Sequence, residues 1–256
     1  MVAKFPNGSL IMTDRQRNSG LVNPADPEAD AVTKIILEDK RPDIGEIELT
    51  LFENCHLNCF FCHHDKKSTV GLSREEIFSK LSLVEDHLIK MKGRADVVQI
   101  NMVGGELFQD RISEWAYPVY YDFLIEIKKL YDKYDHNIKV VWVTSFQFVK
   151  RDRVQKLIDD LNAADIPSYI ICSYDFDGRP VKGPYGKNIE YFADYITSIN
   201  MVATVPSIEK FMEDKDEYFH YLYEKFDNFY FDDYIPDKGF DHLIPSDSLY
   251  LEFLKF

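Results

Sequence analysis

Long apolar runs are missing from this chain. Nothing in its 256 residues approaches the ~18 consecutive apolar residues of a membrane-spanning helix, and the amino terminus "MVAKFPNGSLIMTDRQRNSG" carries no signal-peptide core. A soluble chain of cytoplasmic address, with no membrane partner, is therefore expected. Basic charge is scarce as well. Lys and Arg total 30 against 44 Asp and Glu, a net charge of -14 with a pI near 4.9, which disfavours binding to duplex nucleic acid or to anionic lipid. Cysteine is rarer still: four residues, three of them bunched, which is no disulfide framework and fits a reducing compartment. The G-x-S-x-G elbow and the phosphate loop G-x-x-x-x-G-K-[ST] do not occur, so hydrolase and nucleoside triphosphatase readings lack their usual signals. Internal repeats and low-complexity tracts are missing too.

What remains is regular. After an irregular stretch, 1–45, read as an arm over a later core, six β-like runs follow: "EIELTLFE" (46–53), "DVVQINMV" (96–103), "IKVVWVTS" (138–145), "SYIICSYD" (168–175), "NMVATV" (200–205) and "NFYFDDYI" (228–235). Helical patterns lie between them. The clearest is "SREEIFSKLSLVEDHLIKM", with Ser73 and Glu76 as a capping box and Ile77, Leu81, Val84 and Leu88 on one face. Others fit 119–134, 150–163, 188–198 and 207–224. Alternating strand and helix imply an α/β fold with a parallel sheet, and six units fall short of the eight that close a full barrel. One domain over 46–235 is expected, a partial (β/α)6 barrel with parallel strands. Residues 236–256 would form a short carboxy-terminal extension, a loop and a last short helix covering one end. The last stretch, 207–256, holds 13 acidic and 5 basic side chains among many Phe and Tyr, the pattern of a solvated face over an aromatic core.

"CHLNCFFCHH" stands directly after the first run. Cys55, Cys59 and Cys62 form a C-x3-C-x2-C spacing in the loop at the carboxyl end of that strand, the end where parallel α/β folds build their sites. Inert buried thiols are one reading, but the loop has no strand or helix pattern to bury them. A structural zinc site is another, with His56, His63 or His64 as fourth ligand, although such sites usually join two separated knuckles. A third is an iron-sulfur cluster held by three thiolates, which leaves one iron open for chemistry.

This loop, at the end of the first strand of a six-unit barrel, resembles the radical S-adenosylmethionine (radical SAM) enzyme superfamily. The resemblance covers about 46–235 and extends to "QINMVGGELF", whose Gly104, Gly105 and Glu106 match the family's Gly-Gly-Glu motif 42 positions beyond Cys62. It implies one 4Fe-4S cluster on Cys55, Cys59 and Cys62, with S-adenosylmethionine bound at the open iron. Reductive cleavage then yields a 5′-deoxyadenosyl radical that abstracts hydrogen from a substrate. Phe61, before the third cysteine, would lie near the adenine. Gly104 and Gly105 would let the backbone approach the methionyl group, and Glu106 would accept from its ammonium. Leu107 stands where many relatives have proline, and a local change of turn is expected. "VWVTSFQF" keeps only Thr144 of the family's Thr-Asn-Gly stretch. "CSYDFDG" resembles a Ser-x-Asp pattern that sets Ser173 near the ribose and Asp175 toward the cavity, although Ser173 reads equally well as an ordinary strand hydroxyl.

Strand parity extends the expectation: with Ser173 and Asp175 inward, Cys172 and Tyr174 face the helices. The same alternation sets Glu48, Thr50, Gln99, Asn101, Tyr230 and Asp232 toward the interior, a lining for a polar substrate. Asn101 and Asp175 are the candidate catalytic residues. A nucleoside or other small polar metabolite is favoured over a peptide, because the sequence has no cysteine-rich extension for auxiliary clusters. An electron donor such as a flavodoxin or ferredoxin is implied as partner. The reading from another class is a zinc-bound or degenerate-cluster interaction module.

Overall fold

The computed structural model describes residues 3–4, 10–11, 44–62, 64–174, 183–213, 221–222, 224–226, 228–233 and 241–253. Strands β1 (Ala3–Lys4) and β2 (Leu10–Ile11) pair antiparallel near the amino terminus. The main body then runs β3 (Ile44–Thr50), α1 (Arg74–Phe78), α2 (Leu81–Met91), β4 (Val97–Val103), α3 (Ser113–Tyr134), β5 (Asn137–Thr144) and α4 (Arg151–Ala163). It continues with β6 (Ser168–Ser173), α5 (Tyr185–Tyr191), β7 (Ile196–Ala203), α6 (Val205–Met212), β8 (Phe229–Asp233) and α7 (Asp247–Phe253). The six strands β3 to β8 lie side by side in chain order, every neighbouring pair parallel. This is the expected α/β partial (β/α)6 barrel.

Alternation along the strands separates two faces. On β4, Val98, Ile100 and Met102 are fully buried under the helices, while Gln99, Asn101 and Val103 point the other way and are half-buried. On β5 and β6, Val140, Trp142, Ile170 and Cys172 join the helix-packed side. There they meet Tyr120, Phe123, Leu124 and Ile127 of α3 and Val154, Leu157, Ile158 and Leu161 of α4. Each such side chain contributes about 1.5–3 kcal/mol through removal from water. Cys172 and Tyr174 do lie toward the helices, the thiol 3.2 Å from the hydroxyl of Tyr185 on α5.

Several helices depart from the sequence reading. The run from Ser73 is interrupted: Ser79 Oγ donates to the carbonyl of Glu76 at 2.7 Å, and Lys80 N–H bonds Ile77 O at 3.2 Å, so a tight turn divides α1 from α2. Half of the expected capping box is present: Ser73 Oγ accepts from Glu76 N–H at 3.2 Å, while Glu76 Oε2 accepts from the Ser73 hydroxyl at 2.8 Å instead of from its main-chain N–H. Helix α3 begins six residues ahead of the expected 119 and carries Pro118 inside it. Burial of Ala116, Tyr117 and Tyr120 offsets the missing hydrogen bond of the proline, whose intrinsic cost is about 3 kcal/mol. Helix α4 starts without a capping side chain of its own; Asp110, from the preceding strand-helix loop, accepts from Val149 N–H (2.9 Å) and Lys150 N–H (2.8 Å) instead.

Helix α5 ends at Tyr191 rather than 198, and β7 starts at Ile196 rather than 200 and stops at Ala203. The strand stops there because Thr204 caps α6 through Ser207 N–H, with proline in the first turn. Helix α6 ends at Met212; of the rest of the expected helix to 224, 214–220 and 223 lie outside the described residues, and 221–222 and 224 are helical. The short last helix is present: Phe253 of α7 packs 4.7 Å from Phe231 and 5.2 Å from Phe211, ring to ring. Asp175, His63 and most of the stretch read as an amino-terminal arm lie outside the described residues. No described helix is long and apolar enough to cross a membrane.

Candidate functional site

The three clustered cysteines leave the sheet where β3 ends. Cys59 is buried, Cys55 and Cys62 are half-buried, and none of the chain's cysteines is in a disulfide. The loop is tied internally. Cys62 N–H bonds Cys59 O (3.3 Å), Lys66 Nζ donates to the same carbonyl (2.9 Å), and Cys55 N–H bonds Lys66 O (3.3 Å). At Cys55 the sulfur receives the N–H of Leu57 at 3.4 Å. Burial pushes the Cys55 thiol above its ordinary value; the Leu57 N–H opposes this, the charge of Glu106 adds to it, and the Glu106 N–H opposes it again. Amide donors aimed at a sulfur favour its thiolate, the form that binds metal.

The donor set therefore fits an iron-sulfur group in its chemistry: three thiols on one loop, with main-chain N–H groups directed at one of them. Among the described residues, no three His, Cys, Asp or Glu side chains are already gathered closely enough to hold a metal ion. The histidines weighed as zinc ligands differ in setting. His56 is exposed, and His64 stands with Nδ1 3.8 Å from Glu53 Oε1. Phe61 is half-buried and meets Phe60 edge to face, the centroids 5.5 Å apart.

Gly104 and Gly105 run directly against the cysteine loop. Gly104 has φ +145°, and a Cβ there would stand 2.2 Å from Phe52 O; a Cβ on Gly105 would stand 1.9 Å from Asn54 O. Gly105 N–H bonds Phe52 O at 2.7 Å. The glycines thus serve contact between two main chains, a reason that the motif alone did not give. Side chains at either position would drive the cysteine loop away.

Glu106 is buried, and its carboxylate is fully engaged. It accepts from Thr144 Oγ1 (2.7 Å), Ser145 N–H (2.8 Å), Ser145 Oγ and Phe108 N–H (3.1 Å). Among the expected cofactor-binding residues, Glu106 and Thr144 are therefore brought into contact with each other. Tyr117 and Tyr120 fasten the following turn by donating to the carbonyls of Phe108 and Leu107 at 3.0 and 3.2 Å. Burial first, then the charge of Glu106, holds the Tyr117 phenol far above its ordinary value, so it remains a protonated donor. Leu107 is fully buried.

Ser145 and the next residue complete the end of β5. Phe146 is left-handed, φ +57°. The turn lets Phe146 N–H bond Thr144 Oγ1 (3.1 Å) and buries its ring between Phe148, Tyr185 and Phe192. Aromatic packing offsets a backbone strain of about 1 kcal/mol.

Asn101 sits lower on the inner face, where its Nδ2 donates to Glu46 Oε1 at 2.5 Å. Gln99 Nε2 bonds the same carboxylate at 3.1 Å and Asn101 Oδ1 at 2.8 Å. Glu46 is an inner-face residue missing from the sequence expectation, although period-two spacing from Glu48 would have found it. Ser173 ends β6 half-buried, opposite Asn200 of β7. Tyr230 of β8 is exposed. A separate groove of about 440 Å³, lined in part by Tyr117, Pro118, Tyr121 and Arg153, lies on the helical side between α3 and α4.

No protein-family model and no curated protein matches the chain. Solved structures do. Hexahistidine-tagged anSMEcpe with bound AdoMet superposes with a TM-score of 0.56 at 16% identity, over 83% of this chain and 58% of that one. Native anSMEcpe with bound AdoMet and Cp18Cys peptide gives 0.53 at 15%, over 83% and 58%. The same protein with AdoMet and Kp18Cys peptide gives 0.53 at 17%, over 81% and 58%. The chain thus spans little more than half the length of these structures, and at such low identity what they share with it is the fold, an open six-stranded parallel half-barrel.

Proposed function

We propose that this protein is a radical S-adenosylmethionine enzyme. One observation carries the reading: three cysteines stand on the single loop that leaves the first barrel strand, and the Gly-Gly-Glu turn is packed against that loop by main-chain contact. The likeness in fold to structures holding AdoMet supports it. Cys55, Cys59 and Cys62 would hold a 4Fe-4S cluster, and S-adenosylmethionine bound to it would supply, on reduction, a carbon-centred radical for hydrogen abstraction. An electron donor such as a flavodoxin or ferredoxin would provide the electron.

The chain's own residues have separable tasks. The N–H groups of Leu57 and Glu106 oppose the rise that burial imposes on the Cys55 thiol. Glu106, Thr144 and Ser145 act as one unit that fixes the rim between β4 and β5 and puts a negative charge there, suited to an ammonium group. Phe61 and Ser173 are the proposed neighbours of adenine and ribose. Asn101, and Asp175 beyond β6, are the proposed substrate contacts. The polar inner face, with Glu46, Gln99 and Asn101 joined by hydrogen bonds, supports a polar substrate. A small metabolite is the first reading of that substrate. A peptide is the second, favoured by the two solved relatives in fold that hold a peptide beside AdoMet.

The test is iron content. After anaerobic reconstitution, Cys55→Ala, Cys59→Ala and Cys62→Ala should each lose cluster iron, and the reduced native protein should convert S-adenosylmethionine to 5′-deoxyadenosine. A colourless protein holding zinc instead would support an interaction module. Full iron content in any single variant would remove the three-cysteine assignment.

A further inference from the structure

Behind the cysteine loop lies a polar brace that neither the cysteine spacing nor the Gly-Gly-Glu motif explains. Asn54, directly before Cys55, is 9% exposed, and Gln109, past the Gly-Gly-Glu turn, is 1% exposed. Gln109 Nε2 donates to the main-chain oxygen of Asn54 at 3.1 Å and to its Oδ1 at 3.4 Å. Arg111 closes the set, its Nε donating to Gln109 Oε1 and its Nη2 to Asn54 Oδ1. On its other side Asn54 Nδ2 donates to Ser68 O at 2.9 Å, beyond the far end of the cysteine loop. The polar side-chain atoms of Asn54 and Gln109 are all engaged.

Buried amides add little net stability when satisfied and cost much when one partner is lost, so such a network restricts conformation more than it stabilises. What it restricts is specific. Asn54 contributes the carbonyl against which Gly105 is packed, and Cys55 is the next residue. Arg111, an exposed residue, reaches inward to this carbonyl's residue.

We propose that Gln109 and Arg111 are positioning residues for Cys55: acting through Asn54, they fix the main chain at the root of the first thiol of the loop, so that its sulfur is within reach when a metal binds. This rests on the reading of the three cysteines as metal ligands. It adds to that reading a pair of residues, 55 and 57 positions away from Asn54, that touch no sulfur themselves.

Cobalt(II) alone, added anaerobically to the metal-free full chain, provides the test, because sulfur-to-cobalt charge-transfer absorption grows with the number of bound thiolates. Gln109→Glu keeps the side-chain shape but turns an acceptor toward Asn54 O, and Arg111→Gln removes the fork. Both should lose about one third of the native absorption, one thiolate in three, and match Cys55→Ala. Arg111→Lys, which keeps a donor for Asn54 Oδ1, should recover most of it. Native absorption in both disruptive variants would overturn the inference while leaving the cysteine assignment intact. Absence of a thiolate band in the native protein would instead overturn that assignment, and the inference with it. Loss of cooperative thermal unfolding in both variants, without recovery by Arg111→Lys, would assign the brace to folding and also overturn the inference.

Discussion

The two faces of the barrel sheet are built from alternate residues of the same strands, yet they obey different rules. On the helix side of β4, Val98, Ile100 and Met102 are sealed and interchangeable in character, a surface chosen for volume. On the other side, Gln99 and Asn101 engage Glu46 of the neighbouring strand through directed hydrogen bonds. One face is specified by packing and the other by chemistry. Stability and function should therefore separate by parity, even for residues adjacent in the chain.

The strongest break in this comparison is Trp142→Ala. The indole is fully buried and packs within 5.3 Å of Phe108 and 5.6 Å of Tyr120, so its loss should cost about 3–5 kcal/mol in urea unfolding. At the rim, Glu106→Gln replaces an acceptor that serves Thr144, Ser145 and Phe108. It should destabilise the metal-free protein by about 1–3 kcal/mol and weaken S-adenosylmethionine binding in a calorimetric titration, with iron content retained. Cys172→Ala, on the helix side, tests the parity argument directly. It should cost about 1 kcal/mol, through a small cavity beside Tyr185, and leave the iron of one cluster in place. Asn101→Ala should change stability by no more than about 0.5 kcal/mol. Its effect should fall on turnover instead: 5′-deoxyadenosine formed without substrate stays at the native rate, and stimulation by substrate is lost. Equal stability losses for Trp142→Ala and Asn101→Ala would erase the distinction between the faces.

Much of the fold was legible because it rests on local periodicity. All six barrel strands fall within a few residues of the apolar runs, the largest discrepancy being β7, whose first half, "ITSI", reads as polar text beside a helix. The start of α3 was hidden by Pro118, a residue that usually marks a boundary and here sits inside a helix held by burial. The cysteines and the Gly-Gly-Glu turn were legible as motifs. Their supports were not: Ser145, Gln109 and Arg111 follow no spacing rule, since each finds a partner in the loop after a neighbouring strand. The reason for the two glycines was equally hidden, because a sequence shows that a side chain is missing but not which carbonyl would have met it.

The contacts of Glu106 also have a consequence for the order of events in making the holoprotein. They join residues 38 and 39 positions apart, and the ties from Asn54 to Gln109 and Arg111 reach further. Closing loops of this length costs chain entropy before the contacts return any of it, so these ties form late, once β5 has docked beside β4. Until then Cys55, Cys59 and Cys62 are three thiols on an unsupported loop, open to oxidation and to any thiophilic ion. If the three cysteines hold a cluster as proposed, its loading would follow folding of the first three barrel strands. A nascent chain that has not yet emerged past Ser145 carries the three cysteines and lacks the rim against which their loop packs.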